Sequence, residues 1–230
     1  MKIAGVQKLT LLDFPGRVAC TVFTPGCNFI CPFCQNSRLV LTAEQQPCED
    51  MEDVFRFLSK RQGILDGVAI TGGEPLIQKD IDLFIRRVRD MGFQVKLDTN
   101  GSIPGVLKDL VNGGLVDYVA VDIKNSPGKY ALTSGCTQFM LEQVKQTVSF
   151  LKQGHVDYEF RTTVVAEFHE QSDFVEIGEW IEGAENYFLQ KFEDSGELIR
   201  EGLHAAGEEQ MNLFLETVRP YVKNASLRGM

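Results

Sequence analysis

Residues 18–34 read Val18-Ala-Cys20-Thr-Val-Phe-Thr24-Pro-Gly-Cys27-Asn-Phe-Ile-Cys31-Pro-Phe-Cys34. An apolar, β-branched run breaks at Pro25-Gly26 into a loop that carries three cysteines, which predicts a buried strand over 18–24 followed by a polar turn. The same grammar recurs downstream. Residues 67–71, 93–98, 117–123, 157–165 and 187–192 predict five further strands. The stretches 49–62, 80–91, 104–111, 138–153 and 173–182 between them have helical spacing, as does 207–221 after the last. Strands alternating with helices require parallel pairing through right-handed crossovers. Such a sheet is either doubly wound or curled into part of a barrel, and six units would make an incomplete one, an α/β fold of the partial (β/α)6 TIM-like type.

Polar sequence collects where the predicted strands end: TPGCNFICPFC after the first, TGGEP at 71–75, DTNG at 98–101 and DIKN at 122–125. In parallel α/β folds that edge binds ligands. No linker interrupts the pattern, so a single domain over 1–230 is expected.

The 230 residues carry a formal charge of -9, and the Lys and Arg residues are scattered rather than clustered. Nucleic acid, whose binding rests on concentrated positive charge, is therefore not an expected partner. No run approaches the roughly 20 apolar residues of a membrane helix, and the N-terminus lacks the apolar core of a signal peptide. No membrane association and a cytoplasmic location are expected. In that reducing setting the six cysteines, at 20, 27, 31, 34, 48 and 136, point to metal binding or catalysis rather than disulfides.

The spacing C-x3-C-x2-C over Cys27, Cys31 and Cys34 suits a [4Fe–4S] cluster, which normally takes four thiolates; three leave one iron open. A closed zinc site completed by Cys20, Cys48 or a histidine is the alternative. Cys20 sits inside a predicted strand, however, and Cys48 and Cys136 have no cysteine neighbours. Gly72 and Gly73 permit close approach to backbone, and Glu74 offers a carboxylate to a ligand ammonium. Asp98, Asp122, Lys124 and Arg161 fall in or beside strands that should face the interior, where charges need partners or a ligand. A structural salt-bridge network is the competing reading of those four. His155, His169 and His204 lie in loops or after helices, where solvated or capping roles are expected.

The cysteine triplet with Phe33 before its last member, and Gly72-Gly73-Glu74-Pro75 after the next strand, resemble the radical S-adenosylmethionine (SAM) superfamily. That resemblance implies a partial barrel of the radical SAM type, a [4Fe–4S] cluster on Cys27, Cys31 and Cys34, and SAM bound to the open iron. It further implies that the GGEP segment meets the methionine amino group and that backbone near Phe33 meets the adenine. The implied chemistry is one-electron reduction of the sulfonium, release of methionine, and hydrogen abstraction by a 5′-deoxyadenosyl radical.

LTLLDFPG at 9–16, the cluster loop and the ending Ser226-Leu-Arg-Gly229 are similar to glycyl-radical-enzyme activating enzymes, and most of all to the anaerobic ribonucleoside-triphosphate reductase activating family. The implied partners are a glycyl radical enzyme as protein substrate and reduced flavodoxin or ferredoxin as electron donor. Asp98-Thr99 and Asp122-Ile-Lys124 resemble segments of pyruvate formate-lyase activating enzymes. There, an Asp-Thr pair and a second Asp hold a monovalent cation, a lysine meets the SAM carboxylate, and a polar arginine stands where Arg161 falls. The likeness fails on the sixth predicted strand, where Gln190 and Phe192 replace a methionine and a histidine. The segments 9–16 and 125–137 are the expected docking rim for a protein substrate at the barrel mouth. A small-molecule radical SAM enzyme of the 7-carboxy-7-deazaguanine synthase kind, or an iron–sulfur or zinc module without turnover, are the rival readings.

Overall fold

The computed structural model describes residues 1–229. Its strands are β1 (Gly5–Thr10), β2 (Ala19–Thr24), β3 (Gly67–Gly72), β4 (Gln94–Thr99), β5 (Tyr118–Asp122), β6 (Asp157–Val164), β7 (Asn186–Lys191) and β8 (Asn224–Arg228). The helices that connect or follow them are α1 (Ser37–Leu41), α2 (Met51–Ser59), α3 (Ile81–Asp90), α4 (Pro104–Asn112), α5 (Tyr130–Ser134), α6 (Gln138–Leu151), α7 (Gln171–Trp180) and α8 (Glu208–Val218). All eight strands form one sheet in sequence order, β1 antiparallel to β2 and every later pair parallel. The first and last strands do not pair, so the sheet is an open, partial TIM-like barrel as expected, with six βα units at its centre.

Local sequence explains the helices. α2 starts at Asp50, whose carboxylate accepts from Glu52 N, and buries Val54, Phe55 and Leu58 on one face. α7 opens on a reciprocal cap between Glu170 and Asp173. α3 buries Ile81, Phe84, Ile85 and Val88 at helical spacing. These faces cover the outside of the sheet. Burying each such side chain contributes roughly 1.5–3 kcal/mol before the entropy of ordering it is counted.

The other sheet face is polar. Register places Thr21, Ala69, Lys96, Asp98, Asp122 and Arg161 on one side of adjacent strands, and side chains from β1 (Gln7) to β7 (Gln190) line one cavity. Only a strongly curled sheet brings its first and seventh strands to one chamber.

Two strands escaped the sequence. β1 is an edge strand with three consecutive exposed residues, and β8 is polar and half-exposed, so neither shows the apolar run of a central strand. The expected docking rim is also corrected. Thr10 pairs with Ala19, at the start of β2, so segment 9–16 turns beneath the barrel rather than around its mouth. Phe14 is buried there, 6.3 Å from Tyr118. A Cβ at Gly67 would come within 2.8 Å of its ring, which makes Phe14 a floor plug seated on a residue without a side chain. Segment 125–137 is no adaptable loop either. It holds α5, with Tyr130, Thr133 and Ser134 buried, and Ser134 O accepts from Ile30 N at 3.0 Å.

Candidate active site

The cavity at the strand C-termini measures about 330 Å³ and is lined by Cys27, Cys31, Cys34, Phe33, Gly72, Gly73, Asp98, Asp122, Lys124 and Arg161, together with other residues. Ten of the eleven residues singled out in the sequence thus line one cavity.

The cysteine loop is held from both sides. Cys27 Sγ accepts from Phe29 N at 3.4 Å and from Asn100 Nδ2 at 3.8 Å, and Cys31 Sγ lies 3.8 Å from Ser134 O. Asn100 also donates to Asn28 Oδ1 and Asn28 to Ser102 Oγ, stitching the loop to the end of β4. Burial pushes the Cys27 thiol up to about 11 and the Cys31 thiol up to about 12. The thiols therefore release protons when they bind metal. Among the described residues no three His, Cys, Asp or Glu side chains converge as a single-ion site needs. All three cysteines line the same cavity, and in a cluster each thiolate would bind its own iron. Phe33 is buried against Phe168, with ring centroids 6.0 Å apart.

Gly72 and Gly73 sit where no side chain fits. Gly72 has φ +117°, and a Cβ on it would lie 2.5 Å from Thr24 N and O; one on Gly73 would lie 1.8 Å from Gly26 O. Gly26 O in turn accepts from Glu74 N at 2.8 Å, so β3's end is clamped directly to the start of the cysteine loop.

Glu74 is the correction. Its side chain does not line the cavity and is fully buried. Oε1 accepts from Leu76 N at 3.0 Å and Thr99 Oγ1 at 2.7 Å, and Oε2 accepts from Asn100 N at 2.7 Å. Its polar capacity is spent on the protein, and it organises the GGEP and DTNG turns instead of offering itself to a ligand. Burial, only partly offset by those donors, pushes its carboxyl up to about 7.

The charged wall is a chain of pairs. Lys96 bonds Asp98, Arg161 Nη2 meets Asp98 Oδ2 at 2.9 Å, Arg161 Nε meets Asp122 Oδ1 at 2.5 Å, and Lys124 Nζ meets Asp122 Oδ2 at 2.9 Å. Burial alone would raise both carboxyls, but Arg161 with Lys96 or Lys124 outweighs it and holds Asp98 and Asp122 low. Beneath it the buried Glu159 takes both Arg228 amines at 2.8 Å, and Arg228 stacks 3.4 Å over Phe188. His169, expected to be solvated or capping, is buried. Its Nε2 lies 3.0 Å from Lys124 O and its Nδ1 accepts from Val165 N, which fixes the end of β5.

Residues 21–181 match the profile of the Radical SAM superfamily. The chain belongs to that superfamily. Membership makes it an enzyme whose chemistry uses a [4Fe–4S] cluster and SAM, and the donor set described above fits both.

This radical SAM chain is similar end to end to a Methanocaldococcus jannaschii protein provisionally named a glycyl-radical enzyme activating enzyme, 29% identical over 232 residues, 98% of this chain and 95% of that one. Its fold resembles Streptococcus suis SuiB bound to its precursor peptide, with TM-score 0.69 and 13% identity over 91% of this chain and 48% of that chain. It also resembles a domain of a pyruvate-formate lyase-activating enzyme from Bacteroides vulgatus, with TM-score 0.58 and 14% identity over 71% and 99%. Among the described residues no helix is long and apolar enough to cross a membrane.

Sequence reasoning assigned no role to Asn100 or Asp13, and it gave Thr99 only the part of a cation ligand. Asp13 accepts from the Thr21 hydroxyl and lines the chamber from below. Asn100 and Thr99 lie within the DTNG stretch, and their position just past a strand was the available signal.

Proposed function

We propose that this protein is a glycyl-radical-enzyme activating enzyme, and that its partner is an anaerobic ribonucleoside-triphosphate reductase. The end-to-end match to the M. jannaschii relative supports the activating role, and the choice of partner rests on the likeness of LTLLDFPG at 9–16 and Ser226-Leu-Arg-Gly229 to the reductase-activating family. In it, Cys27, Cys31 and Cys34 hold the cluster, Gly72 and Gly73 admit the methionine amino group, and Lys124 faces the carboxylate. Backbone at Phe33 meets the adenine.

Held by Cys27, Cys31 and Cys34, the cluster would supply the one electron needed for reductive S–C5′ cleavage of SAM. The protein's part is positional. The charged wall orients SAM, buried Cys31 and Phe33 keep water from the cysteine loop, and Asp13 and Gln7 line the chamber from below. The partner's glycine Cα would supply the hydrogen that completes 5′-deoxyadenosine, which would leave the glycyl radical on the partner. The electron comes from a reduced flavodoxin or ferredoxin. This chemistry belongs in a reducing cytoplasm, with residues 1–230 acting as one domain.

The test is anaerobic incubation of reduced holoenzyme and SAM with a glycyl radical enzyme encoded beside it, read by electron paramagnetic resonance. A glycine-centred doublet that disappears when the target glycine becomes alanine is expected. SAM cleavage with stoichiometric conversion of a free metabolite and no protein radical would contradict the reading.

A further inference from the structure

The likeness to pyruvate formate-lyase activating enzymes implies a monovalent cation held by Asp98, Thr99 and Asp122. The side chains present do not fit one. Of the four carboxylate oxygens, Asp98 Oδ1 is bonded by Lys96 and Oδ2 by Arg161 Nη2 at 2.9 Å; Asp122 Oδ1 is bonded by Arg161 Nε at 2.5 Å and Oδ2 by Lys124 at 2.9 Å. Each oxygen already faces a fixed positive charge. The Thr99 hydroxyl donates to Glu74 at 2.7 Å and accepts from Gly101 N at 3.0 Å. Gln190 on β7 lines the cavity, but Phe192, just past the end of that strand, does not.

Charge points the same way. Lys96, Lys124 and Arg161 surround Asp98 and Asp122, so the group is already net positive, and another cation would enter a field of its own sign. A guanidinium is also suited to the task. It stays charged at every working pH, and its planar fork presents Nε and Nη2 to two acceptors at once. The register of β5 and β6, which sets Asp122 opposite Arg161, brings that fork to Asp122 on β5 and to Asp98 on the next strand, β4.

We infer that Arg161 is a built-in replacement for the monovalent cation, bridging Asp98 and Asp122 so that the SAM-binding wall is electrostatically complete without an alkali ion. Lys124 then takes its position from Asp122, which Arg161 holds from the other side. This inference concerns cofactor binding and stands whether or not the substrate is a glycyl radical enzyme.

The experiment titrates SAM into reconstituted holoenzyme calorimetrically, in choline, sodium and potassium chloride at equal ionic strength. Wild-type affinity should agree within about twofold across the three salts, and equilibrium dialysis should find no stoichiometric rubidium on the protein. The variant Arg161→Met, which keeps bulk and removes charge, should bind SAM at least tenfold more tightly in potassium than in choline. A tenfold gain of wild-type affinity on adding sodium or potassium would overturn the inference. One rubidium ion per wild-type chain would overturn it without any variant, and so would an Arg161→Met protein that folds, binds SAM weakly and ignores the salt.

Discussion

Asn100 donates its backbone amide to the buried Glu74 carboxylate at 2.7 Å while its side-chain amide reaches Cys27 Sγ at 3.8 Å, so the GGEP carboxylate governs the first cluster thiol through one intermediary. Glu74→Ala would strand three buried donors, on Leu76, Thr99 and Asn100. A loss of roughly 2–5 kcal/mol in unfolding free energy is expected, with reduced iron retention as the Asn100 turn loosens. Urea unfolding of the cluster-free protein and iron analysis of the reconstituted one check it; a variant of unchanged stability with only weaker SAM binding would return Glu74 to the ligand.

The same carboxylate gives the protein a distinctive pH dependence. Its folded pKa of about 7 lies above the ordinary value of 4.5, so the folded state binds the extra proton. The stability it contributes is full below about pH 4.5 and declines as pH rises through 7, by roughly 3 kcal/mol in all. Asp98 and Asp122, held low, act in the opposite sense and lose their contribution only as pH falls below the usual carboxylate range. His169, kept neutral by burial, also favours higher pH. The comparison that isolates Glu74 is therefore wild type against Glu74→Gln between pH 5 and 7.5. The variant's stability should change by about 3 kcal/mol less unfavourably with rising pH, and parallel curves would refute the assignment.

Gly73→Ala should abolish both cluster retention and SAM binding, because its Cβ would stand 1.8 Å from Gly26 O, at the clamp between β3 and the cysteine loop. Gly5→Ala on β1, where a Cβ meets nothing within 4 Å, should leave both intact. Iron content and SAM titration of the two variants side by side decide the matter.

Arg228→Ala leaves Glu159 buried without its bidentate partner. A loss of about 3–5 kcal/mol is expected, although β8 lies at the edge of the sheet where a substitution would ordinarily cost little. Denaturant midpoints measure it, and a change below about 0.5 kcal/mol would show that Glu159 is sustained by the Tyr118 hydroxyl, which donates to it at 2.9 Å, and by Arg161 at 4.0 Å.

Much of this architecture was legible because it rests on local signals. The apolar runs of β2 to β7 and the turn residues at their ends locate the sheet, and their position at strand C-termini is enough to group Cys27, Gly72, Asp98 and Lys124. What escaped depends on tertiary context. β1 and β8 gain their pairing from neighbours rather than from their own apolarity, and Phe14's place beneath the barrel follows from β1 running antiparallel. Glu74 was misjudged because its three partners lie at Leu76, Thr99 and Asn100, two of them on another strand's end, and nothing in Gly-Gly-Glu-Pro itself reveals that they consume the carboxylate. The Asp98–Arg161–Asp122 bridge was likewise visible as charge but not as geometry.

The central claim is that Cys27, Cys31 and Cys34 hold a cluster that drives SAM cleavage. Its most direct measurement is 5′-deoxyadenosine formation by anaerobically reconstituted, reduced protein, alongside iron content, for wild type and Cys31→Ala. Wild type should hold about four irons per chain and release 5′-deoxyadenosine and methionine in equal amounts, while Cys31→Ala should lose both cluster and cleavage and Cys20→Ala, Cys48→Ala and Cys136→Ala should keep them. Full activity in Cys31→Ala, or zinc without iron in anaerobically purified wild type, would contradict the account.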